Sequence, residues 1–111
     1  MSRRPARATE AQIATQLAAL GNATRLRVYR LLVKAGPVGL NISLVQSLLD
    51  IPASTLAHHL GVLARAAIVR QERQGREVLC HANYETMHAL VAYLTEACCA
   101  GVSLTRNADA A

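Results

Sequence analysis

The sequence contains no tryptophan and no phenylalanine, and only three tyrosines. Hydrophobic residues nevertheless make up 52% of its 111 residues, so the core must be built from Leu, Val, Ile and Ala, and the composition is not that of a disordered chain. The apolar residues recur in short groups, and none approaches the roughly 20 residues needed to cross a bilayer. We therefore expect a soluble protein of one domain, with no membrane partner and no room for a multidomain enzyme.

Cysteine is also scarce, and the three present are Cys80, Cys98 and Cys99. An odd number with two adjacent members is a poor framework for structural disulfides. No secretory signal is visible, because the arginines of the first eight residues are followed by an amphipathic stretch and not by a continuous apolar one. These features predict a cytoplasmic protein whose thiols serve chemistry rather than folding.

Acidic residues are few and unevenly placed. Residues 1–76 hold eleven basic and three acidic side chains, a net charge of +8, whereas residues 77–111 hold one basic and four acidic side chains, a net charge of −3. The basic part predicts a polyanionic partner, and the acidic part predicts a different role. A plainer interpretation applies to Arg25, Arg27, Arg30 and Lys34, which fall in one predicted helix and could simply solvate its surface.

Hydrophobic spacing, caps and helix breakers predict five helices and one hairpin. A capping box at Thr9 opens the first helix, which ends at Gly21; Asn22 or Thr24 caps the second, which ends before Gly36. A connector at residues 39–41 precedes a short third helix capped by Ser43. The fourth helix runs from about residue 52 to 67, two strands at 68–73 and 76–82 flank a Gln74-Gly75 turn, and the last helix spans 84 to about 100.

This order predicts a mainly α fold with a small β-hairpin wing, a winged helix-turn-helix. The domain is expected to span residues 9–100, between a flexible basic N-terminal arm at 1–8 and a flexible C-terminal tail at 101–111. We find no nucleophile with an evident base and no glycine-rich phosphate loop. The sequence therefore does not indicate an enzyme, and it requires no cofactor.

The fourth predicted helix separates into two faces when it is projected at 100° per residue. Leu56, Leu60 and Leu63 converge on one face, with His59 at its border as a packed imidazole. The opposite face carries small or hydrogen-bonding residues, namely Ser54, Thr55, Ala57, His58, Gly61 and Arg65. Such groups suit a helix in the major groove of DNA, where an ordinary solvent face would carry more Lys and Glu.

Gly61 and the hairpin arginines extend this interpretation. A mid-helix glycine costs about 1 kcal/mol relative to alanine, so Gly61 indicates a close backbone approach, although a tolerated surface glycine is the competing explanation. Arg73 and Arg76 flank the predicted turn, where they could enter a minor groove or clamp phosphates. A solvated hairpin is the alternative for this pair. His58 and His59 are adjacent and cannot easily chelate one ion on a helix.

Two segments resemble the ArsR/SmtB family of small dimeric bacterial repressors. LGNATRLR at residues 20–27 is similar to the start of the family's second helix, and STLAHHLGVL at 54–63, followed by AAIV at 66–69, is similar to its recognition segment. The family usually has glycine where Ala67 stands. The resemblance covers roughly residues 9–99, and it implies a homodimer through the first and last helices that represses transcription by binding an inverted-repeat DNA operator.

The stretch from Ala89 to Cys99 resembles the end of the last helix in an arsenic-responsive subgroup of that family. The resemblance implies that Cys98 and Cys99 bind trivalent arsenic or antimony as an inducer, because these ions take up to three thiolates. The subgroup's third cysteine would fall near Thr105, where this chain has none, and Cys80 is a possible third ligand only across the dimer. The family's thiolate site in the third helix is absent, since residues 41–47 contain no cysteine.

Other interpretations of the thiols stay open. Cys98 and Cys99 could form a redox switch, or Cys98 could be a small buried hydrophobe in the dimer interface. A winged-helix interaction module without an inducer is a further alternative.

Overall fold

The computed structural model describes residues 8–104, so most of the predicted basic arm and the position near Thr105 lie outside the described residues. Five helices and three strands follow one another as α1 (Glu10–Leu20), α2 (Ala23–Ala35), β1 (Leu40–Asn41), α3 (Ile42–Leu49), α4 (Ala53–Arg65), β2 (Val69–Gln74), β3 (Glu77–Ala82) and α5 (Tyr84–Thr95). The strands form one antiparallel sheet in the order β1-β3-β2. The predicted mainly α fold with a hairpin wing is confirmed.

Side-chain caps set the starts of the first three helices. Thr9 Oγ1 accepts a hydrogen bond from Gln12 N at 3.1 Å, and Gln12 Oε1 accepts one from Thr9 N at 2.8 Å, which confirms the predicted capping box. Asn22, and not Thr24, caps α2. The cap predicted for α3 is wrong by two residues: Asn41 Oδ1 accepts from Ser43 N at 2.7 Å, so Ser43 lies inside the helix.

The short strand β1 occupies part of the segment that was predicted to be a connector. Leu40 pairs with Cys80 and Asn41 with Leu79 in β3. Gly39 makes this approach possible, because its φ is +75° and a Cβ at that position would stand 2.7 Å from the Cys80 carbonyl oxygen. Only glycine combines the positive φ with the absent side chain, so Gly39 brings the loop after α2 against the wing.

The core lies between the helices and the inner face of the wing. The leucine stripe of α4 is buried as predicted, with Leu56, Leu60 and Leu63 each at most 1% exposed. These side chains pack with other fully buried residues from α2, from α3 and from the position just before β2, namely Val28, Leu32, Val45 and Ile68. In β3, Cys80 and Ala82 lie on one face of the strand, and both are fully buried. This core fixes the opposite face of α4 toward solvent.

The turn of the wing lies one residue later than predicted. Gln74 pairs with Glu77, so the two-residue loop is Gly75-Arg76 and Arg76 is not part of a strand. Gly75 has φ +63°, whereas Arg76 is not among the residues with positive φ. Glycine with positive φ at the first loop position is the pattern of a type II′ turn. The turn therefore presents Arg76 at the tip of the wing.

The helix α4 ends at Arg65, two residues before its predicted end, in a Schellman arrangement. Ile68 N donates to Leu63 O, and Ala67 N donates to Ala64 O, both at 3.0 Å. Ala67 has φ +61°, the left-handed conformation that this motif requires of the residue after the cap and that glycine usually supplies. The Cβ of Ala67 therefore lowers the stability of the fold relative to glycine at this position.

The last helix is shorter than predicted. It ends at Thr95, whose hydroxyl donates to Val91 O at 2.8 Å, and Glu96 is extended. Ala97 and Cys99 have positive φ, so Cys98 does not continue the apolar stripe of α5. Only Leu90 of this helix is buried, and little packing therefore supports further turns. None of the helices within residues 8–104 has the length and apolarity needed to cross a membrane.

Candidate nucleic-acid interface

The outward face of α4 holds the residues predicted to contact DNA. Ser54, Thr55, Ala57, His58 and Arg65 are exposed, and Gly61 is half-buried among them. No acidic residue interrupts α4. The leucine stripe on the other side fixes the rotation of the helix, so this face is presented as a unit.

The N-terminus of α4 is open. Its N-cap is Pro52, which makes no side-chain capping hydrogen bond, in contrast to the other four helices of residues 8–104, each of which has one. The first amide groups of α4 consequently lack a side-chain acceptor. Such groups, together with the helix dipole, favour an anion.

Gly61 and Arg65 lie one helical turn apart on this face. A Cβ placed on Gly61 would meet only the Arg65 Nη1 atom, at 3.3 Å, and no other atom of the chain within 4 Å outside its own helix backbone and chain neighbours. Packing within the described chain therefore does not require glycine here. The glycine leaves a shallow gap over which the Arg65 guanidinium lies.

His59 faces the body of the protein, as the sequence predicted for a packed imidazole. Its Nδ1 atom lies 3.4 Å from Arg25 Nη1, and Arg25 Nε donates to Ala19 O at 2.6 Å. Burial, followed by the charge of Arg25 and the neighbouring His58, lowers the pKa of His59. A neutral His59 can accept the hydrogen bond of Arg25. The sequence does not predict this contact between Arg25 and His59, because the two residues are distant in the chain.

The wing carries the two other predicted contacts. Arg73 and Arg76 are exposed, and no carboxylate of residues 8–104 lies within salt-bridge distance of either. Arg73 pairs with Val78 across the hairpin, so it stands behind the tip that Arg76 occupies. His81 fixes the base of the wing: its Nδ1 lies 3.1 Å from Pro37 O and its Nε2 lies 3.3 Å from Glu72 Oε2.

The thiols separate into two environments. Cys98 and Cys99 are exposed in the turn after α5, with their Sγ atoms 3.2 Å apart. Cys80 is fully buried in the sheet, where burial raises the pKa of its thiol. Within residues 8–104 no three His, Cys, Asp or Glu side chains form a cluster that could hold a metal ion. The structure therefore brings Cys98 and Cys99 together but does not bring Cys80 to them within one protomer.

Apolar side chains on α1 and α5 are left without cover. Leu17 is 43% exposed, Val91 54% and Leu94 57%, and α1 packs against α5 in the same protomer. Exposed leucine and valine side chains that gather on adjacent helices are typical of a surface that another protein covers.

Comparison with known proteins agrees with this geometry. Residues 20–72 match a family model described as a helix-turn-helix domain; this segment runs from the end of α1 through α2, α3 and α4 into β2. No curated protein sequence gives a significant match.

Solved structures of similar fold include ArsR-family transcriptional regulators. A crystal structure of an ArsR family transcriptional regulator is 25% identical, with a TM-score of 0.68 over 82% of this chain and 91% of that one. HlyU from Vibrio cholerae is 24% identical, with a TM-score of 0.64 over 80% and 94%. A homodimeric winged helix-turn-helix DNA-binding domain from Mycobacterium bovis is 22% identical, with a TM-score of 0.63 over 78% and 81%.

The predicted winged helix-turn-helix architecture is confirmed by these structures, and so is the prediction that the chain is not an enzyme. The second helix of a helix-turn-helix is the one that lies in the major groove, and α4 is the second helix of that pair here. Residues 20–72 thus form a helix-turn-helix domain, within a winged fold that is similar to that of ArsR-family transcriptional regulators.

Proposed function

We propose that the protein is a dimeric transcriptional repressor that places α4 in the major groove of double-stranded DNA. The observation that carries the proposal is the face of α4 itself, which is exposed, free of acidic residues and lined by short polar side chains beside an uncapped helix N-terminus. The amides at that N-terminus can donate to a phosphate, while Ser54, Thr55 and His58 can reach base edges. Arg73 and Arg76 would contact the flanking backbone or minor groove.

A second copy of the chain would cover the exposed apolar side chains of α1 and α5. Two α4 helices related by a dimer axis would enter successive major grooves about 34–36 Å apart, which requires an inverted-repeat operator. The Mycobacterium bovis domain of similar fold is a homodimer, which supports this assembly. A repressor of this kind would act in the cytoplasm, as the sequence predicts.

We further propose trivalent arsenic or antimony as the inducer, bound by Cys98 and Cys99. The two exposed sulfur atoms are 3.2 Å apart, close enough to share one soft ion. Arsenous acid would form two As–S bonds with these thiols, and the two thiol protons would leave with two of its hydroxyl groups as two water molecules. The third oxygen would stay on arsenic, so no third thiolate is needed.

A DNA-shift assay on the full chain tests the function and the inducer together. We expect operator binding that weakens as salt rises and that arsenite or antimonite, but not zinc, releases. Cys98→Ser and Cys99→Ser should each keep DNA binding and lose release by arsenite. Cys80→Ala, which removes the buried thiol, is the matched control and should still respond.

The same assay separates the competing functions. Release by an oxidant but not by arsenite would favour a redox switch, for which the close approach of the two sulfur atoms is also suitable. Release by arsenite from the Cys98→Ser variant would refute the proposed site. A dimer with no salt-sensitive DNA binding would leave an interaction module as the better interpretation.

A further inference from the structure

A cavity between α2 and α3 is used neither by the proposed DNA interface nor by the thiols. Its volume is about 380 Å³, which lies within the range of small-molecule sites. Its apolar lining comes from Ala23, Leu26 and Leu31 of α2 and from Leu49, the last residue of α3. No residue of α1 or α5 lines it, so the proposed dimer would leave it open.

Three cations border the same cavity. Arg27, Arg30 and Lys34 follow one another at spacings of three and four residues along α2, so they stand on one side of the helix. All three are exposed, and no carboxylate of residues 8–104 pairs with any of them. The cavity lining contains no acidic residue. Three positively charged side chains without acidic partners among residues 8–104 therefore lie beside the apolar lining of the cavity.

The cations and the leucines of the cavity lining call for different parts of one ligand, an anionic group and a hydrocarbon body. A simple phosphate or a DNA backbone would engage the cations but leave the leucines uncovered, whereas a neutral apolar molecule would leave three cations unused. A carboxylate on an apolar body uses both, because guanidinium groups bind carboxylates through paired hydrogen bonds and the hydrocarbon body removes leucine surface from water.

We propose that the α2–α3 cavity binds a small amphipathic carboxylate. Its carboxylate lies among Arg27, Arg30 and Lys34, and its hydrocarbon part contacts Leu26, Leu31 and Leu49. This proposal does not rest on the proposed DNA-binding function, because no residue that lines the cavity is a predicted DNA contact. The test below also uses no DNA.

Octanoate is the probe for the test, titrated into the full chain by isothermal calorimetry with the leucine methyl resonances followed by NMR. We expect saturable binding that shifts the methyl signals of Leu26, Leu31 and Leu49. The double variant Arg30→Gln/Lys34→Gln should weaken binding at least tenfold. Leu26→Ser should also weaken it, and this change is compatible with folding because Leu26 is 44% exposed. Arg70→Gln, at an exposed arginine of β2 outside the cavity, is the matched charge control and should bind as the wild type does.

Four results would overturn the proposal. Octanoate could fail to bind, or could bind without shifting the cavity methyl signals. Equal affinity for 1-octanol would reduce the site to an apolar groove. Equal competition by inorganic phosphate would reduce it to a cationic surface of the kind that contacts a DNA backbone. Thermal melts of each variant establish that a lost signal reflects the cavity and not unfolding.

Discussion

Gly61 offers the sharpest test of the α4 face, because its replacement by alanine should change stability and DNA affinity in opposite directions. The residue lies in the middle of α4 with ordinary helical backbone, and it is not among the residues of positive φ. A methyl group added there would meet only the movable end of Arg65, at 3.3 Å. Packing within residues 8–104 therefore does not require glycine at this position.

The expected size of the stability change follows from helix propensity. Alanine in a helix interior is favoured over glycine by about 1 kcal/mol, which corresponds to a rise in Tm of roughly 4–8 °C in a domain of this size. A small part of that gain is lost because Arg65 must move by a few tenths of an ångström. Gly61→Ala should thus be more stable than the wild type in thermal and denaturant unfolding.

The effect on DNA has the opposite sign if the backbone of α4 approaches the groove at Gly61. A methyl group between helix and DNA, together with a displaced Arg65, should weaken operator binding by at least about tenfold, or 1.4 kcal/mol. A fluorescence-anisotropy titration with labelled operator measures this loss. Repeating Gly61→Ala in an Arg65→Ala background shows whether the loss acts through Arg65, because penalties that share one cause do not add.

Ala67→Gly is the matched control for this experiment. It should raise stability by a similar amount without placing an atom on the α4 face. If Gly61→Ala binds operator as tightly as the control does, Gly61 is only a tolerated surface glycine and the close approach is wrong. If Gly61→Ala lowers stability, the packing argument itself is wrong.

Other predictions concern Ala67, His59 and two of the candidate DNA contacts. Ala67→Gly should raise the free energy of unfolding by about 1 kcal/mol, because it relieves a left-handed alanine; an unchanged denaturant midpoint would contradict this. Since burial and Arg25 lower the pKa of His59, the unfolded chain binds the proton better, so stability should be full above about pH 6.5 and should fall below it. His59→Gln should reduce that slope in unfolding curves measured across this range. Arg73→Ala should weaken operator and random DNA alike and reduce the salt dependence, whereas His58→Ala should change base preference; equal losses on both DNAs would remove His58 from base readout.

Local signals in the sequence were sufficient for most of the fold. The capping box at Thr9 and the leucine stripe of α4 depend on residues a few positions apart, and both were predicted correctly. The wing turn was displaced by one residue because glycine suits either position of a two-residue turn, the second in type I′ and the first in type II′. Pairing of the strands decides between them, and pairing is not local.

What the sequence could not reveal depends on contacts between distant segments. The strand β1 exists only because Leu40 meets Cys80, and Arg25 gains its role only because α4 brings His59 beside it. The predicted end of α5 was too late in the chain, because apolar residues continue at helical spacing as far as Cys98. In the structure Cys98 is exposed, so packing does not extend the helix to it. The candidate DNA residues of α4 were placed on one face of the helix and the other two on the wing, whereas the separation of Cys80 from Cys98 and Cys99 became clear only from their burial.

The helix α1 is the element through which the proposed sensing and DNA-binding ends can communicate. It packs against α4 and against α5, and Arg25 ties its carbonyl at Ala19 to His59 of α4. In the proposed dimer, a change in the contact of α1 and α5 would therefore be passed to α4 through α1. Both α4 helices of the proposed dimer would have to fit grooves one turn apart, so an inducer that favoured another separation by a few kcal/mol would suffice to release the operator. Cys98 and Cys99 lie beyond the end of α5, so an inducer bound to them would act on the turn after Thr95 and not on the buried Leu90.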